Sequence, residues 1–201
     1  MKSINVNFNN LSESEREQLL RLVEKSNKGK SLSEVKNGEI FKIGDAEFVK
    51  VSEIDGVVNA VTKGLVFSSK FGDNNNFSDS VILAKLITEF LPEIKKEVGA
   101  ENIKDVATNL TTLDGMKEYG NIVSKVTLPT LDFYRENREI FNKHNPNGWW
   151  WLSTADSCNN SYVLCVSPSG SINYYNCDDY FSFGVRPFLR FSSSIFVSCE
   201  N

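Results

Sequence analysis

The side chains best suited to catalysis or metal binding are few in this chain. It has one histidine, His144, so any Ser-His-Asp or Cys-His mechanism would have to use this residue, and no metal site can draw two histidines from one chain. His144 lies in the turn-like segment NKHNPNG, and the chain has no G-x-S-x-G nucleophile motif. The sequence therefore predicts an exposed loop histidine and does not favour an enzyme.

The cysteines form a second group of reactive side chains. All four lie in the last quarter of the chain: Cys158, Cys165, Cys177 and Cys199. Their spacing matches no zinc-binding pattern, so neither a metal nor a cofactor is predicted. We expect free thiols in a reducing compartment, and a Cys158–Cys177 disulfide is the alternative if the protein reaches the outside of a cell.

Composition and charge restrict the class of partner. The chain has 201 residues, 40% of them hydrophobic, and its net charge of -4 does not favour a nucleic-acid partner. It contains no apolar run of 18 residues, so no membrane span is predicted. The N-terminus MKSINVNFNN is polar and lacks the apolar core of a signal peptide, which predicts synthesis in the cytoplasm without a signal peptide.

The first structural element that the sequence predicts is an amphipathic helix over residues 11–26. Ser12 and Glu15 have the spacing of a capping box, and an apolar stripe follows at helical spacing: Leu19, Leu20, Leu22 and Val23. This helix could pack on the rest of the chain, which we favour, or on a second copy. We divide the chain into an N-terminal helical segment, residues 1–35, and a main domain, residues 36–201.

The first half of the main domain reads as short strands followed by helix. Residues 38–67 contain β-branched and aromatic runs, and Asp55-Gly56 between two of them predicts a hairpin. A helix is predicted from Asp79 to Phe90, with a further helical piece that starts at Pro92 and ends at Gly99.

The second half is predicted to return to strand. Residues 102–113 are ambiguous between strand and turn, and residues 127–141 read as a helix with Pro129 in its first turn. From Trp149 onward the pattern is strand and turn, with SPSG joining a hairpin. The order of elements predicts an α+β fold with an antiparallel sheet, and no G-x-G-x-x-G or P-loop motif is present.

Composition changes abruptly near the C-terminus. From Leu152 to Cys199 the chain contains no Lys, Glu, Gln, Met or Trp, although the lysine density of the first 151 residues predicts about five Lys there. Strands disfavour Lys and Glu, but turns tolerate them, so secondary structure explains only part of this depletion. The remaining mixture of Tyr, Ser, Asn and Asp is similar to an antibody paratope, which indicates a recognition surface. The alternative is a solvated loop that has no partner.

The motifs in this region resemble a known family. The pattern WWWLST…VSPSGSINY…GVRPFL resembles the C-terminal core of a large family in Gram-positive bacteria and their prophages, in which W-W-L-R-S, S-x-G and G-V-R-P-A-L follow in that order. Three earlier segments also resemble this family: GEIFKIGDAEFVKV, LITEFLPEIKKEVGAENI and TLPTLDFYRENREIF. The resemblance covers residues 37–191, and the two outer motifs together are fairly specific.

That resemblance implies a C-type-lectin-like fold with two or three helices besides the N-terminal one. The family shares this fold with formylglycine-generating enzymes. It is also similar to the variable proteins of diversity-generating retroelements, which rewrite a C-terminal segment by mutating template adenines. An AAC or AAT codon rewritten in this way cannot encode Lys, Glu, Gln, Met or Trp, the five types missing from Leu152 to Cys199. The resemblance therefore implies a variable ligand-display region over residues 152–183.

Two groups of residues follow from this interpretation. Trp149–Trp151 and a closing strand Gly184–Leu189 would form the frame, in which Arg186 would pair with an acid such as Asp132 or Glu136. The ligand-binding residues are predicted to be Asp156, Ser157, Asn159, Asn160, Ser161, Tyr162, Asn173, Tyr174, Tyr175, Asn176, Asp178, Asp179, Tyr180 and Phe181. The partner would be a protein or a glycan, such as a cell-surface molecule. The resemblance also allows a homo-oligomer and a place on a phage virion.

Three other functions stay open. Calcium-dependent sugar binding could use the oxygens of Asn176, Asp178 and Asp179. A catalyst like the formylglycine-generating enzymes would need a cysteine pair in a substrate groove. A structural or assembly protein of a prophage or mobile element would need neither a calcium site nor a cysteine pair.

Overall fold

A computed structural model describes residues 11–178 and 183–199, and it shows the mixed α+β architecture that the sequence predicts, with mostly antiparallel sheet. The helices are α1 (Glu13–Lys28), α2 (Val81–Lys85), α3 (Leu91–Val98), α4 (Leu131–Glu136) and α5 (Arg138–Lys143). The strands of the first half are β1 (Lys30–Ser31), β2 (Ile40–Ile43), β3 (Ala46–Ile54), β4 (Val57–Thr62), β5 (Phe67–Ser69), β6 (Ile103–Lys104) and β7 (Val106–Asn109). The strands of the second half are β8 (Asn121–Ser124), β9 (Val126–Thr127), β10 (Trp150–Ala155), β11 (Tyr162–Val166), β12 (Ile172–Asn176), β13 (Phe183–Val185), β14 (Phe188–Ser192) and β15 (Phe196–Val197).

Helix α1 begins where the capping box predicts. The backbone N–H of Ser12 donates to Glu15 Oε2 at 2.8 Å, and the backbone N–H of Glu15 donates to Ser12 Oγ at 3.4 Å. Leu20, in the predicted apolar stripe, is 52% exposed. The side chains of Leu22 and Val23 lie outside those that the structure describes, so the surface on which this helix packs stays a prediction.

Two larger sheets organise the main domain. One has the strand order β2-β3-β4-β14-β6, with β9 also paired to β14, and the other has the order β12-β11-β10-β13-β5. The predicted hairpin at Asp55-Gly56 is confirmed: both residues have positive φ, 50° and 73°, and they join β3 to β4. The SPSG turn is confirmed as well, since it joins β11 to β12 and the Ser167 N–H donates to the Ser171 carbonyl.

The predicted closing strand Gly184–Leu189 is wrong, because the chain changes sheets within it. Strand β13 pairs with β10 and β5, whereas β14 pairs with β4, β6 and β9. The break falls at Arg186-Pro187, where proline has no N–H to donate to a strand ladder. These two residues therefore connect the two sheets.

The predicted helices exist with different limits. Ser80 caps α2, and a π-helical turn at Leu86–Phe90 joins α2 to α3, so the helix does not restart at Pro92. In this turn the Leu91 N–H bonds back to the Leu86 carbonyl, an i−5 bond just before the proline. Gly99 ends α3 as predicted.

The helix predicted over residues 127–141 starts later and is interrupted. Thr127 belongs to β9, and the Oγ1 of Thr130 accepts from the Phe133 N–H to cap α4. Asn137 separates α4 from α5. The polar cap and the rigid proline before it move the helix start to Leu131.

The tandem tryptophans pack into two clusters of buried side chains, one on each face of β10. Trp150 stacks on Phe141 with ring centroids 5.8 Å apart, and Trp151 meets Phe183 at 4.7 Å in the other cluster of buried side chains. Successive side chains of a strand point to opposite faces, so the predicted alternation is confirmed. Large buried aromatic side chains contribute strongly to folding energy, and β10 is thereby fixed in the centre of its sheet.

Candidate display surface

The predicted ligand-binding residues lie at one side of the five-stranded sheet. They belong to the loop between β10 and β11, to the start of β11, to the edge strand β12, and to the turn after it, which contains Asp178. Asp179, Tyr180 and Phe181 lie outside the described residues, and their predicted role stays a prediction. The remaining positions are not presented on one face.

Strand alternation divides them between the two faces of the sheet. Tyr162 is opposite Asn176, and Leu164 is opposite Tyr174, so these side chains share one face. Tyr175 is opposite Val163 and therefore points to the other face. Along residues 173–176 only alternate positions therefore share a face.

The most exposed aromatic feature is a pair of tyrosines on the first face. Tyr162 is 42% exposed and Tyr174 is 58% exposed, and their rings meet edge to face with centroids 5.3 Å apart. Tyrosine offers a rigid apolar ring together with a hydroxyl that can donate and accept hydrogen bonds. We call these two residues the tyrosine pair.

Tyr175 forms a different environment on the opposite face. Its ring lies 4.9 Å from that of Phe183 and 5.7 Å from that of Trp149, and 38% of the residue stays exposed. This residue is partly structural, because it covers the aromatic cluster around Trp149.

The loop after β10 is ordered by its own polar side chains. Asn160 Nδ2 donates to Asp156 Oδ2 at 2.7 Å, and its Oδ1 accepts from the Tyr162 N–H at 2.8 Å. Asn159 and Ser161 are exposed, whereas Asp156 and Ser157 are half-buried. The loop therefore offers Asn159 and Ser161 outward, while Asp156 and Asn160 hold its shape.

A buried asparagine outside the display region donates hydrogen bonds to the main chain of this loop. Asn75 is 1% exposed, and its Nδ2 donates to the carbonyl of Ser157 at 2.7 Å and to the carbonyl of Tyr162 at 3.1 Å. Its Oδ1 accepts from the Tyr119 hydroxyl at 2.5 Å. This residue is not predicted from the sequence, since the run Asn74–Asn76 in a polar segment gives no sign of which asparagine is buried.

Similar contacts recur along the whole region. Donors in the rest of the chain meet its main-chain carbonyls: Leu113 N to Ala155 O at 2.9 Å, Asp114 N to Asp156 O at 3.2 Å, Asn145 Nδ2 to Ser167 O at 2.9 Å, Tyr134 Oη to Gly170 O at 2.8 Å, and Phe71 N to Cys177 O at 3.0 Å. A carbonyl is present at every position whatever the side chain is. The scaffold therefore holds much of this region through groups that sequence variation does not remove.

Arg186 does not form the predicted ion pair with Asp132 or Glu136. Its guanidinium is fully buried and donates to the carbonyls of Thr62 at 2.8 Å and His144 at 3.0 Å. Its Nη1 has no hydrogen-bond partner among the described residues. Burial lowers the pKa of Arg186, because desolvation disfavours the charged form. The acids point elsewhere: Asp132 is largely exposed, near Arg135.

The guanidinium of Arg186 also contacts aromatic rings. Its Cζ lies 5.2 Å from the ring centroid of Phe141 and 5.3 Å from that of Trp150. Arg186 therefore supports the frame by joining β4, the segment after α5 and the aromatic cluster at β10.

His144 is half-buried, so the prediction of an exposed loop residue is wrong. Its Nε2 lies 2.8 Å from the Gly38 carbonyl, which places the ring between the loop after α5 and the start of β2. Burial lowers the pKa of His144. Its hydrogen-bond partner is a backbone carbonyl, not a nucleophilic side chain.

The cysteines are four free thiols in this structure. Burial raises the pKa of Cys165 to about 12 and also raises the pKa values of Cys158, Cys177 and Cys199. A raised pKa lowers the fraction of the reactive thiolate. In residues 11–178 and 183–199, no group of three or more His, Cys, Asp and Glu side chains is arranged to hold a metal ion.

A cavity of about 450 Å³ lies elsewhere, between α4, β7 and β14. Threonines line much of it: Thr108, Thr111, Thr112, Thr127, Thr130 and Thr154. Their hydroxyls already have partners inside the protein, such as the bond between Thr108 and Thr127 and that from the Leu131 N–H to Thr154. None of the predicted ligand-binding residues lines this cavity.

Comparison of the chain with protein-family models, with curated proteins and with solved structures gives no match. Within the described residues, no helix combines the length and the apolar character that crossing a membrane requires.

Proposed function

We propose that this protein is a ligand-binding display protein: a variable protein of the diversity-generating type, which presents a hypervariable surface on a C-type-lectin-like scaffold. The proposed ligand is a protein or a glycan, such as a cell-surface molecule, and the proposed site is the tyrosine pair with the neighbouring loop after β10. In this proposal the protein is not an enzyme.

One observation carries the proposal. Donors of the scaffold, among them Asn75, Tyr134 and Asn145, bind the region between β10 and β12 at its main-chain carbonyls. A region held in this way can change its exposed side chains and keep its path. The missing residue types from Leu152 to Cys199 support the same conclusion independently, because they are the types that adenine-directed rewriting of an AAC or AAT codon cannot produce.

The chemistry of the exposed positions suits recognition. Tyrosine rings provide contact area at low cost in conformational entropy, and Asn and Ser provide adaptable hydrogen bonds. The tyrosine pair is accessible without any rearrangement, since each of the two residues is about half exposed. An aromatic pair of this kind can pack against a protein side chain or the apolar face of a sugar ring.

The proposal can be tested with two matched libraries. The first varies five exposed positions among the residue types that an AAC or AAT codon can reach: Asn159, Ser161, Tyr162, Tyr174 and Asp178. The second varies five buried positions of the same region in the same way: Leu152, Ala155, Val163, Leu164 and Val166. Thermal unfolding is measured for a random sample of each.

We expect most members of the exposed library to unfold within a few degrees of the wild type, and most members of the buried library to lose far more, because buried methyl groups are removed. A fall in Tm of ten degrees or more for most members of the exposed library would contradict the proposal. Binding is then compared on a glycan array and on intact Gram-positive cells. Serine at Tyr162 and Tyr174 should reduce any wild-type signal at least tenfold, whereas serine at Val123, an exposed residue of β8, should leave it unchanged.

A further inference from the structure

We propose that the outer edge of β12 pairs with the same edge of a second copy of this chain, which joins two tyrosine pairs into one composite surface. The pairing does not depend on the proposed function. The consequence for recognition does, since it concerns what the composite surface would bind.

The main-chain groups of β12 alternate between the side of β11 and the outer side of the sheet. The Cys177 N–H donates to the Ser161 carbonyl, and the Ser171 carbonyl accepts from the Ser167 N–H, so residues 171 and 177 face β11. In an antiparallel ladder, alternate residues face the partner strand. The N–H and C=O groups of Ile172, Tyr174 and Asn176 therefore point away from β11.

Among the described residues, no strand pairs with this outer side, because β12 is the last strand of its sheet. Proteins usually protect such edges with lysine, proline or a short strand. Strand β12 has five residues, INYYN, with no charge and no proline. At the other end of the same sheet, β5 has only three residues and is followed by Lys70. The edge of β12 is thus the less protected of the two.

The outer edge of β12 is complementary to a second copy of itself. The three outward-facing residues are symmetric about Tyr174, so an antiparallel copy related by a two-fold axis places Tyr174 opposite Tyr174 and Ile172 opposite Asn176. Each outward N–H then meets a carbonyl, and six main-chain hydrogen bonds can form. No charged side chain of β12 opposes this approach, and a two-fold contact of this kind closes after two copies.

Pairing of two β12 edges would also enlarge the surface that carries the tyrosine pair. Tyr174 and Tyr162 lie on the same face of the sheet, 5.3 Å apart. Pairing about Tyr174 would bring the tyrosine pair of each copy to the same face of one continuous sheet. The second copy thereby contributes two rings to the surface, and the dimer presents four tyrosines side by side.

The test is sedimentation equilibrium of the full chain from 5 to 500 µM. We expect a reversible equilibrium between monomer and dimer. Tyr174→Pro removes an outward N–H that β11 does not use, and it should raise the dissociation constant at least tenfold, whereas Tyr174→Phe keeps both main-chain groups and should leave it within about threefold. A wild type that stays monomeric at 500 µM, or a Tyr174→Pro variant that dimerises as tightly as the wild type, would overturn the proposal.

A second pair of variants keeps the test decisive if proline disturbs folding. Tyr174→Lys and Tyr174→Glu should each be monomeric, because like charges directly opposite one another destabilise a strand pair. Mixed in equal amounts, they should form a one-to-one dimer, and failure to do so contradicts the pairing. Leu20→Glu on the exposed side of α1 is the control for association through that helix: it should leave the dimer intact, and loss of the dimer would assign the contact to α1 instead.

Discussion

Replacement of Asn75 by aspartate should destabilise the protein strongly, although the two side chains have the same shape. Nδ2 of Asn75 donates to two carbonyls, at 2.7 and 3.1 Å, and the residue is 1% exposed. Aspartate would place a carboxylate oxygen against both carbonyls. Two lost hydrogen bonds at about 1 kcal/mol each, with their buried acceptors left unpaired, predict a loss of about 3 kcal/mol or more. For a domain of this size that is a fall in Tm of about 6–12 °C.

The assay is chemical denaturation followed by fluorescence of the tryptophans, with thermal unfolding as a second measurement. Asn74→Asp is the matched control, because Asn74 is exposed and its Oδ1 only accepts a hydrogen bond from the Asn76 N–H, which a carboxylate can also do. We expect this control to change stability by less than about 0.5 kcal/mol. Equal effects of the two substitutions would refute the role assigned to Asn75 in holding the display loop.

Three further predictions concern buried and half-buried side chains of the scaffold. Arg186→Leu should cost about 3 kcal/mol in chemical denaturation, because it leaves two carbonyls without their donors, and Arg135→Leu on the exposed surface should cost far less. Since burial lowers the pKa of His144, the unfolded chain takes up a proton first as the pH falls through 6.5. Stability should therefore decrease in that range and level off once the folded state is protonated too, and a His144→Gln variant that keeps the same dependence would exclude this residue as its source. Burial raises the pKa of Cys165 to about 12, so a thiol reagent at pH 8 should label half-buried Cys158 before it labels Cys165. Mass spectrometry of chymotryptic peptides measures this, because cleavage after Tyr162 separates the two cysteines, and equal rates would contradict the buried position of Cys165.

Local patterns in the sequence were sufficient where neighbouring residues alone determine the structure. The capping box at Ser12, the Asp55-Gly56 hairpin and the SPSG turn each depend on contacts within a few residues, and each is present. Alternation along WWW likewise predicts that Trp150 and Trp151 occupy opposite faces of one strand. The coarse α+β class follows from the order of such elements.

Contacts between distant parts of the chain decided the rest. The sequence could not show that the chain leaves one sheet for another at Arg186-Pro187, because that depends on which strands lie beside it. Nor could it show that Arg186 binds carbonyls of residues 62 and 144 in place of an acid. A buried guanidinium needs acceptors, but only the folded chain determines which acceptors come within reach.

The same distinction applies to the candidate site. Residue types alone identified the region from Leu152 to Cys199, since five types are missing there. Only the strand register showed that Tyr162 and Tyr174 share a face while Tyr175 lies on the other, and only the folded chain brought Asn75 beneath the loop. Composition is a property of the chain and can be read from it directly, whereas a surface arises from residues far apart in sequence whose proximity is set by packing.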